Sequence, residues 1–563
     1  MKISALETIR IAERPNLIWL QVHTDEGITG RGETFYGPSS VEAHVHDVLA
    51  PLMIGQDPRR IEALAARTEG YLGWRSTGVE MRAASAFDIA LWDLWGKATG
   101  QPIAQLLGGF TRDSIRTYNT CAGLDYIKDD SGQSSANYGL DRSDQYDDLN
   151  GLLHRADELA QSLLDEGITV MKIWPFDHAA EATQGRDISA EALRKALDPF
   201  EKIRRAFSDK MDVMVEFHSL WQLLPAMKIA RALAPYDTYW HEDPFRLDSL
   251  NLLKRYAAGS PAPVCASETL GGIGAFRDLL ATGAAGVVML DLSWCGGLTV
   301  ARKMATMAEA EKLPIAPHDC TGPVVLAAST HLSLAAPNAV VQESVRAFGR
   351  TWYRDLVTAV PPVVNGQITV PPGPGLGLDL NPEPEIVLAV TSAGKIVGAT
   401  LGNDVNLRDV EGRLALLLGK AKDNNASAAI GPFVRLFDAG YDLDAVRRAE
   451  LTLRVQGDDG FVLQGASSMA RISRDPESIV AQTIGRHHQY PDGMMPHLGT
   501  LFAPTQDRDA PGQGFAHHPG DRVTIPEPAL GALENTVRLS TDCPEWTFGT
   551  GALMRNLAAR GLL

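Results

Sequence analysis

The hydrophobic pattern changes character three times along the chain. Residues 1–40 read as strands: LIWLQVHTDEGITGRGE places β-rich residues on either side of an Asp25-Glu26-Gly27 turn. Residues 41–108 change to helical spacing, clearest in VEMRAASAFDIALWDLWGKA. A hairpin followed by helices predicts an α+β capping domain over residues 1–112. After Arg112, short apolar runs alternate with amphipathic stretches. ITVMKIW, DVMVEFH, TYWHEDP, APVCASE, GVVMLDLS, LPIAPH and AVVQES are the runs, and PAMKIARALA and LTVARKMATMAEAEK are two of the stretches between them. Continuous apolar strands separated by helices indicate a parallel sheet buried on both faces, and this many units predict a (β/α)7β barrel over 113–345.

From about residue 346 the alternation stops. PPVVNGQITVPPGPGLGLDLNPEP reads as a domain exit, a return to the cap and a linker over 346–379. Residues 380–563 then read as a mostly β domain, opening with a strand, a Ser-Ala-Gly turn and a second strand in EIVLAVTSAGKIVGATLGNDV. The fold class is therefore α/β with a β appendage.

Composition narrows the functions. With 52 basic against 69 acidic residues the net charge is −17, which argues against nucleic-acid and anionic-membrane partners. The five cysteines have no paired metal spacing, so reduced thiols and a cytoplasmic setting are expected. No run of 18 apolar residues occurs, and the N-terminus has no signal-peptide pattern.

Each expected barrel strand ends in a chemically capable residue: Lys172, Glu216, Glu242, Glu268, Asp291, His318 and Glu343. From Glu216 on they recur at intervals of roughly 25 residues, the length of one strand, one helix and two loops, so they converge on one barrel mouth. Carboxylates on three successive strands form a hard-oxygen site suited to Mg²⁺. Asp291 beside His318 supplies the carboxylate that orients a general base. Glu343 reads either as an acid that holds an enolate oxygen or as the partner of Arg346.

On these residues the segment 1–378 resembles the enolase superfamily, in its mandelate racemase branch, and there the sugar-acid dehydratases. The resemblance implies Glu216, Glu242 and Glu268 as Mg²⁺ ligands, with TYWHEDP and CASETL as their strand ends. Asp291 in MLDLSWCGG and His318 in APHDCTGP match an Asp–His dyad, and Glu343 in VVQES matches the last-strand acid. Two departures stand out. The family's Lys-x-Lys reads Lys172-Ile173-Trp174 here, which suits elimination better than two-base racemisation, and Glu216 stands where Asp is common. His218 in VEFHSLW matches the acid that protonates a leaving hydroxyl. The implied reaction is Mg²⁺-dependent dehydration of a sugar acid to a 2-keto-3-deoxy acid. A racemase or cycloisomerase on the same barrel is the rival. The family also implies that residues 24–37 close over the mouth, with Gly27, Gly30, Gly32 and Gly37 as hinges and Phe35 and Tyr36 facing the sugar carbons.

Alternation puts Glu383 and Glu385 on one strand face, and the Ser-Ala-Gly turn folds Asp404 back toward them, a second three-carboxylate set. NPEPEIVL, GNDVNLRDVEGR, KAKDNNASAAIGP, GRHHQYPDG and FGTGALMRNLAARGLL resemble the fumarylacetoacetate hydrolase superfamily, in the branch that dehydrates 2-keto-3-deoxy-pentonates. That resemblance covers residues 380–563 and lacks the family's usual N-terminal portion. It implies Glu383, Glu385 and Asp404 as ligands of a second Mg²⁺ or Mn²⁺, and Lys422 beside them. His487 and His488 are the local imidazoles. A product of the first domain would then be a substrate of the second, which favours a pentonate. A dimerisation module is the alternative for this domain, and a homo-oligomer is expected.

Overall fold

The computed structural model describes the chain except residues 12–13, 27, 71–76, 129–133, 140–146, 358, 379–382, 405–427, 432, 473, 500–507, 509–516, 539–542, 544–549 and 561–563. It divides into two compact units, Met1–Asp379 and Leu380–Leu563.

In the first unit, strands β1 (Ile3–Ile9), β2 (Leu17–Thr24) and β3 (Thr29–Phe35) form an antiparallel sheet. The helix Val79–Thr99 packs across it and ends at Gly100 in a left-handed turn. Eight parallel strands follow: β4 (Ile115–Thr120), β5 (Val170–Ile173), β6 (Asp212–Glu216), β7 (His241–Glu242), β8 (Val264–Ala266), β9 (Val287–Leu290), β10 (Ile315–Pro317) and β11 (Gln342–Ser344). Each pairs with the next from β4 to β10. β11 pairs with β4, and Ala339, just before β11, bridges to Ile315 of β10, which closes the barrel. A hairpin of β12 (Val363–Val364) and β13 (Gln367–Ile368) pairs antiparallel with β4. The chain then returns to the cap, where Leu376 N–H donates to Asp93 at 2.8 Å.

The cap is locked to the barrel by buried polar contacts. Glu33 of β3 accepts from the Val325 N–H at 3.0 Å and the Trp19 indole at 2.6 Å. It thereby caps the helix Pro323–Ala335, whose first-turn amides have no intrahelical partner. Burial pushes the Glu33 carboxyl up to about 7. Asp88 of the long cap helix accepts from Thr299 N–H at 2.8 Å, and Ser85 from Gly296 N–H at 2.9 Å.

Gly30 and Gly32 are not hinges. Both lie in β3 against the long helix, where an added Cβ would sit 1.8 Å from the Ala90 and Ala86 carbonyl oxygens. They are required for close approach. Gly37, at φ 63°, has hinge-like freedom, and Gly27 lies outside the described residues.

The second unit holds two sheets. One pairs β14 (Glu383–Val390), β15 (Ile396–Asp404) and β16 (Ala428–Ile430), with β17 (Arg435–Leu436) also on β15. The other has the order β19 (Val462–Ser468), β18 (Glu450–Gln456), β20 (Arg522–Glu527), β21 (Gly531–Thr536). Strict alternation along β18 buries Leu451, Leu453 and Val455 in a core with Ile386, Leu388, Leu401 and Ile525. Among the described residues, no helix is long and apolar enough to cross a membrane.

Gly32→Ala tests the cap packing. The new methyl meets backbone rather than a movable side chain, so the first unit should lose about 3 kcal/mol, at the upper end of ordinary overpacking costs. Urea unfolding followed by tryptophan fluorescence measures it, and an unchanged midpoint would remove the close-approach argument.

Candidate active site

Alternation brings the chemistry to the mouth. The barrel interior is filled by Tyr118, Val170, Met214, Trp240, Cys265, Met289, Ala316 and Val341. Two residues further along the chain, on the same inward face, stand Thr120, Lys172, Glu216, Glu242, Asp291, His318 and Glu343. β8 is the exception: its inward successor is Ser267, and Glu268 follows one residue later, past the strand end.

One oxygen from each of Glu216, Glu242 and Glu268 lies within 4.8 Å of the other two. Burial, reinforced at Glu216 by the charge of Glu242, pushes the Glu216 and Glu268 carboxyls above their ordinary range. Glu216 Oε2 is buried without a hydrogen-bond partner. Crowded, desolvated oxygens with an unused acceptor fit a hard divalent cation.

Lys172 balances part of this charge. Its ammonium lies 2.6 Å from Glu242, 2.8 Å from Glu343 and 3.5 Å from Glu216. Burial alone would lower its pKa, but these carboxylates outweigh it and hold the group protonated. Glu343 also accepts from Thr120 and from Asp319 N–H. Against the effect of burial, Lys172 and His318 hold it below its usual value. It does not pair with Arg346, which binds Asp148 at 2.7 Å and Glu166 at 3.1 Å.

His318 Nδ1 donates to Asp291 at 2.7 Å, and Asp291 is itself fixed by the Ser293 amide and hydroxyl. His318 Nε2 lies 3.0 Å from Glu268. Burial would lower the imidazole, yet Glu268, Glu343 and Asp291 push it up to about 10. A cation on Glu268 would cancel the first of these pulls and free Nε2 to accept a proton. Lys172, Glu268, His318, His218, Phe35 and Tyr36 all border one cavity, together with Trp294 and Tyr126.

Family models account for the first unit. "Mandelate racemase / muconate lactonizing enzyme, N-terminal domain" matches residues 5–108, and "Enolase C-terminal domain-like" matches 155–384. The D-galactonate dehydratase of Xanthomonas axonopodis pv. citri is 32% identical over 390 residues, 68% of this chain and 93% of that protein. The chain belongs to the enolase superfamily. A solved Agrobacterium tumefaciens enolase of the mandelate racemase subgroup is 65% identical, with a TM-score of 0.61, covering 68% of this chain and 95% of its own. An enolase protein from Sargasso Sea environmental sequence is 42% identical, with a TM-score of 0.60 and the same coverage.

Within this superfamily member, several groups at the mouth gave no signal in the sequence. Asp177, Tyr126 and Tyr138 surround His218: Asp177 lies 2.7 Å from its Nδ1, and the Tyr126 hydroxyl lies 3.4 Å from its Nε2. Trp294 stacks on Tyr36 at 5.7 Å and meets His318 at a tilt at 5.6 Å.

In the second unit, among the described residues, two of the expected carboxylates meet a histidine. Glu385, Asp404 and His497 have ligand atoms within 4.8 Å of one another, and His497 Nδ1 lies 3.1 Å from Glu385. The hairpin register places Glu383 opposite Asp404. The Glu383 side chain and residue Lys422 lie outside the described residues. His487 and His488 are exposed.

Glu216→Gln tests the barrel cluster. It should abolish the Mg²⁺-induced rise in melting temperature of the first unit. It should leave the midpoint in EDTA at or above the parent's, because one crowded charge is gone. An undiminished Mg²⁺ shift, read by calorimetry, would show that the cation sits elsewhere.

Proposed function

We propose that the barrel dehydrates an aldonic acid to the corresponding 2-keto-3-deoxy acid. The observation that carries this reading is the placement of His318 and His218 on one cavity with Lys172 and Glu268, the last of which belongs to the three-carboxylate cluster. Relatives named D-galactonate dehydratase support it. Mg²⁺ held by Glu216, Glu242 and Glu268 would supply Lewis-acid stabilisation of negative charge on the substrate carboxylate.

His318 Nε2 takes the proton from C2, and Asp291 stabilises the imidazolium that results. The C2–H electron pair moves into the carboxylate. It returns to form the C2–C3 double bond as the C3–O bond breaks. His218 gives its proton to the departing hydroxyl, which leaves as water. The enol loses its hydroxyl proton and gains one at C3. The Lys172 ammonium favours charge on the nearby carboxylate oxygens. Trp174 stands where a second base would be needed, so the residues support elimination over racemisation.

For the second unit we propose a divalent cation on Glu385, Asp404 and His497, with Glu383 and Lys422 added by resemblance to the fumarylacetoacetate hydrolase superfamily. Its substrate would be the first unit's product, turned over slowly because the family's usual N-terminal portion is missing. This pairing favours a pentonate such as xylonate or arabinonate, whereas the named relatives act on a hexonate. We further assign the enzyme to the cytoplasm, as a homo-oligomer with reduced thiols.

A panel of pentonic, hexonic and aldaric acids, assayed with Mg²⁺ for 2-keto acid, should give turnover with at least one aldonate and none in EDTA. Activity confined to epimerisation would favour the racemase. His318→Asn should lower elimination roughly 10²–10⁴-fold and abolish C2 proton exchange in D₂O. Retained exchange would remove it as the base. Glu385→Ala should leave barrel turnover unchanged while removing one equivalent of bound Mn²⁺ by equilibrium dialysis. Unchanged stoichiometry would refute the second site.

A further inference from the structure

The two imidazoles at the mouth are built alike, and one of the builders has no role in the reaction as written above. His318 has a buried aspartate on Nδ1, a hydroxyl bracing that aspartate, and an indole against its ring: Asp291, Ser293 and Trp294. His218 has the same three parts from unrelated segments. Asp177 Oδ2 lies 2.7 Å from its Nδ1, the Tyr138 hydroxyl donates to that same oxygen at 2.6 Å, and the Trp174 ring meets the imidazole edge-on at 5.5 Å. Asp177 is 3% exposed. It opens the helix Asp177–Thr183 just past β5. His218 follows β6 with a left-handed backbone, φ 49°, which L side chains rarely adopt. The ring is thus held from both ends, by its backbone turn and by Asp177.

We infer that Asp177 is the positioning residue of the leaving-group acid. Its carboxylate accepts the Nδ1 proton, which fixes the ring orientation and leaves Nε2 as the atom presented to the cavity. Nε2 lies 3.4 Å from the Tyr126 hydroxyl there. A carboxylate on Nδ1 fixes the tautomer and orientation that proton transfer at the other nitrogen needs. Trp174 supports the ring at the position where the superfamily's second lysine would stand. The substitution that removes one base thus forms a wall for the acid. This inference rests on the proposed assignment of His218 as acid and His318 as base.

The test uses the full-length, Mg²⁺-loaded enzyme and an aldonate that it turns over. Asp177→Asn should lower kcat for elimination roughly 100-fold or more, with KM within about threefold, because orientation and not binding is lost. C2 proton exchange in D₂O, which needs only His318, should stay within about tenfold of the parent. The decisive arm is the 3-deoxy-3-fluoro analogue of the same substrate. Fluoride leaves without a proton, so Asp177→Asn and His218→Asn should both recover to within about tenfold of the parent on it. Asp177→Asn on a His218→Asn background should cost nothing further. If Asp177→Asn fails to fold, Tyr138→Phe and Asp177→Glu carry the same fluoride comparison. Parent-like elimination in Asp177→Asn, or an equal loss on both leaving groups, would overturn the inference. If His218→Asn itself eliminates at the parent rate, or loses exchange while His318→Asn keeps it, the acid and base assignment fails instead.

Discussion

A single buried ammonium sets the terms for the barrel mouth. Lys172 lies within 3.5 Å of three carboxylates that the fold has taken out of water: Glu216, Glu242 and Glu343. Each desolvated carboxylate costs several kcal/mol unless it is compensated. One positive charge cannot offset three, and Glu268 and Asp291 stand close by. The remaining negative charge suits a divalent cation, and without one Glu268, Glu343 and Asp291 push the His318 imidazole up. The same balance holds the Glu343 carboxyl below its ordinary value and the Lys172 ammonium above its own.

The cap completes the site by covering it. Phe35 and Tyr36 reach the cavity because β3 is drawn onto the long cap helix through glycines that no side chain could replace. Glu33 then ties that strand to the helix after β10, the strand that delivers His318. Cap sheet, cap helix and barrel are therefore one packing problem. Loop residues at the mouth inherit their positions from buried polar contacts some distance away.

Much of this was legible in the sequence, for a physical reason. Barrel strands impose a two-residue period on the inward face and a near-constant length on each strand–helix unit. Glu216, Glu242, Asp291, His318 and Glu343 therefore stood out by spacing alone. What escaped notice sits off that period. Asp177 opens a helix, and Tyr126 and Tyr138 lie in connections after β4, so the strand period constrains none of the three. Their meeting at His218 depends on contacts across 39 to 92 residues of chain. Gly30 and Gly32 pack where the sequence predicts hinges, because a glycine required for helix contact and a glycine that permits a hinge look the same in one dimension. Arg346 is next to Glu343's strand in sequence, but it opens the helix Arg346–Gly349 and binds Asp148 and Glu166 instead. In the second unit, His497 joins Glu385 only through a bridge between distant segments.

In the proposed reaction the C2 proton is lost to a protein base and solvent supplies a proton at C3. The most direct measurement is turnover, in ordinary water, of an aldonate deuterated at C2, with NMR of the 2-keto-3-deoxy product. The expected result is a primary isotope effect on turnover, complete loss of the label to solvent and a protonated C3. Product carrying the label at C3 would mean that hydrogen migrates within the substrate, and would contradict it.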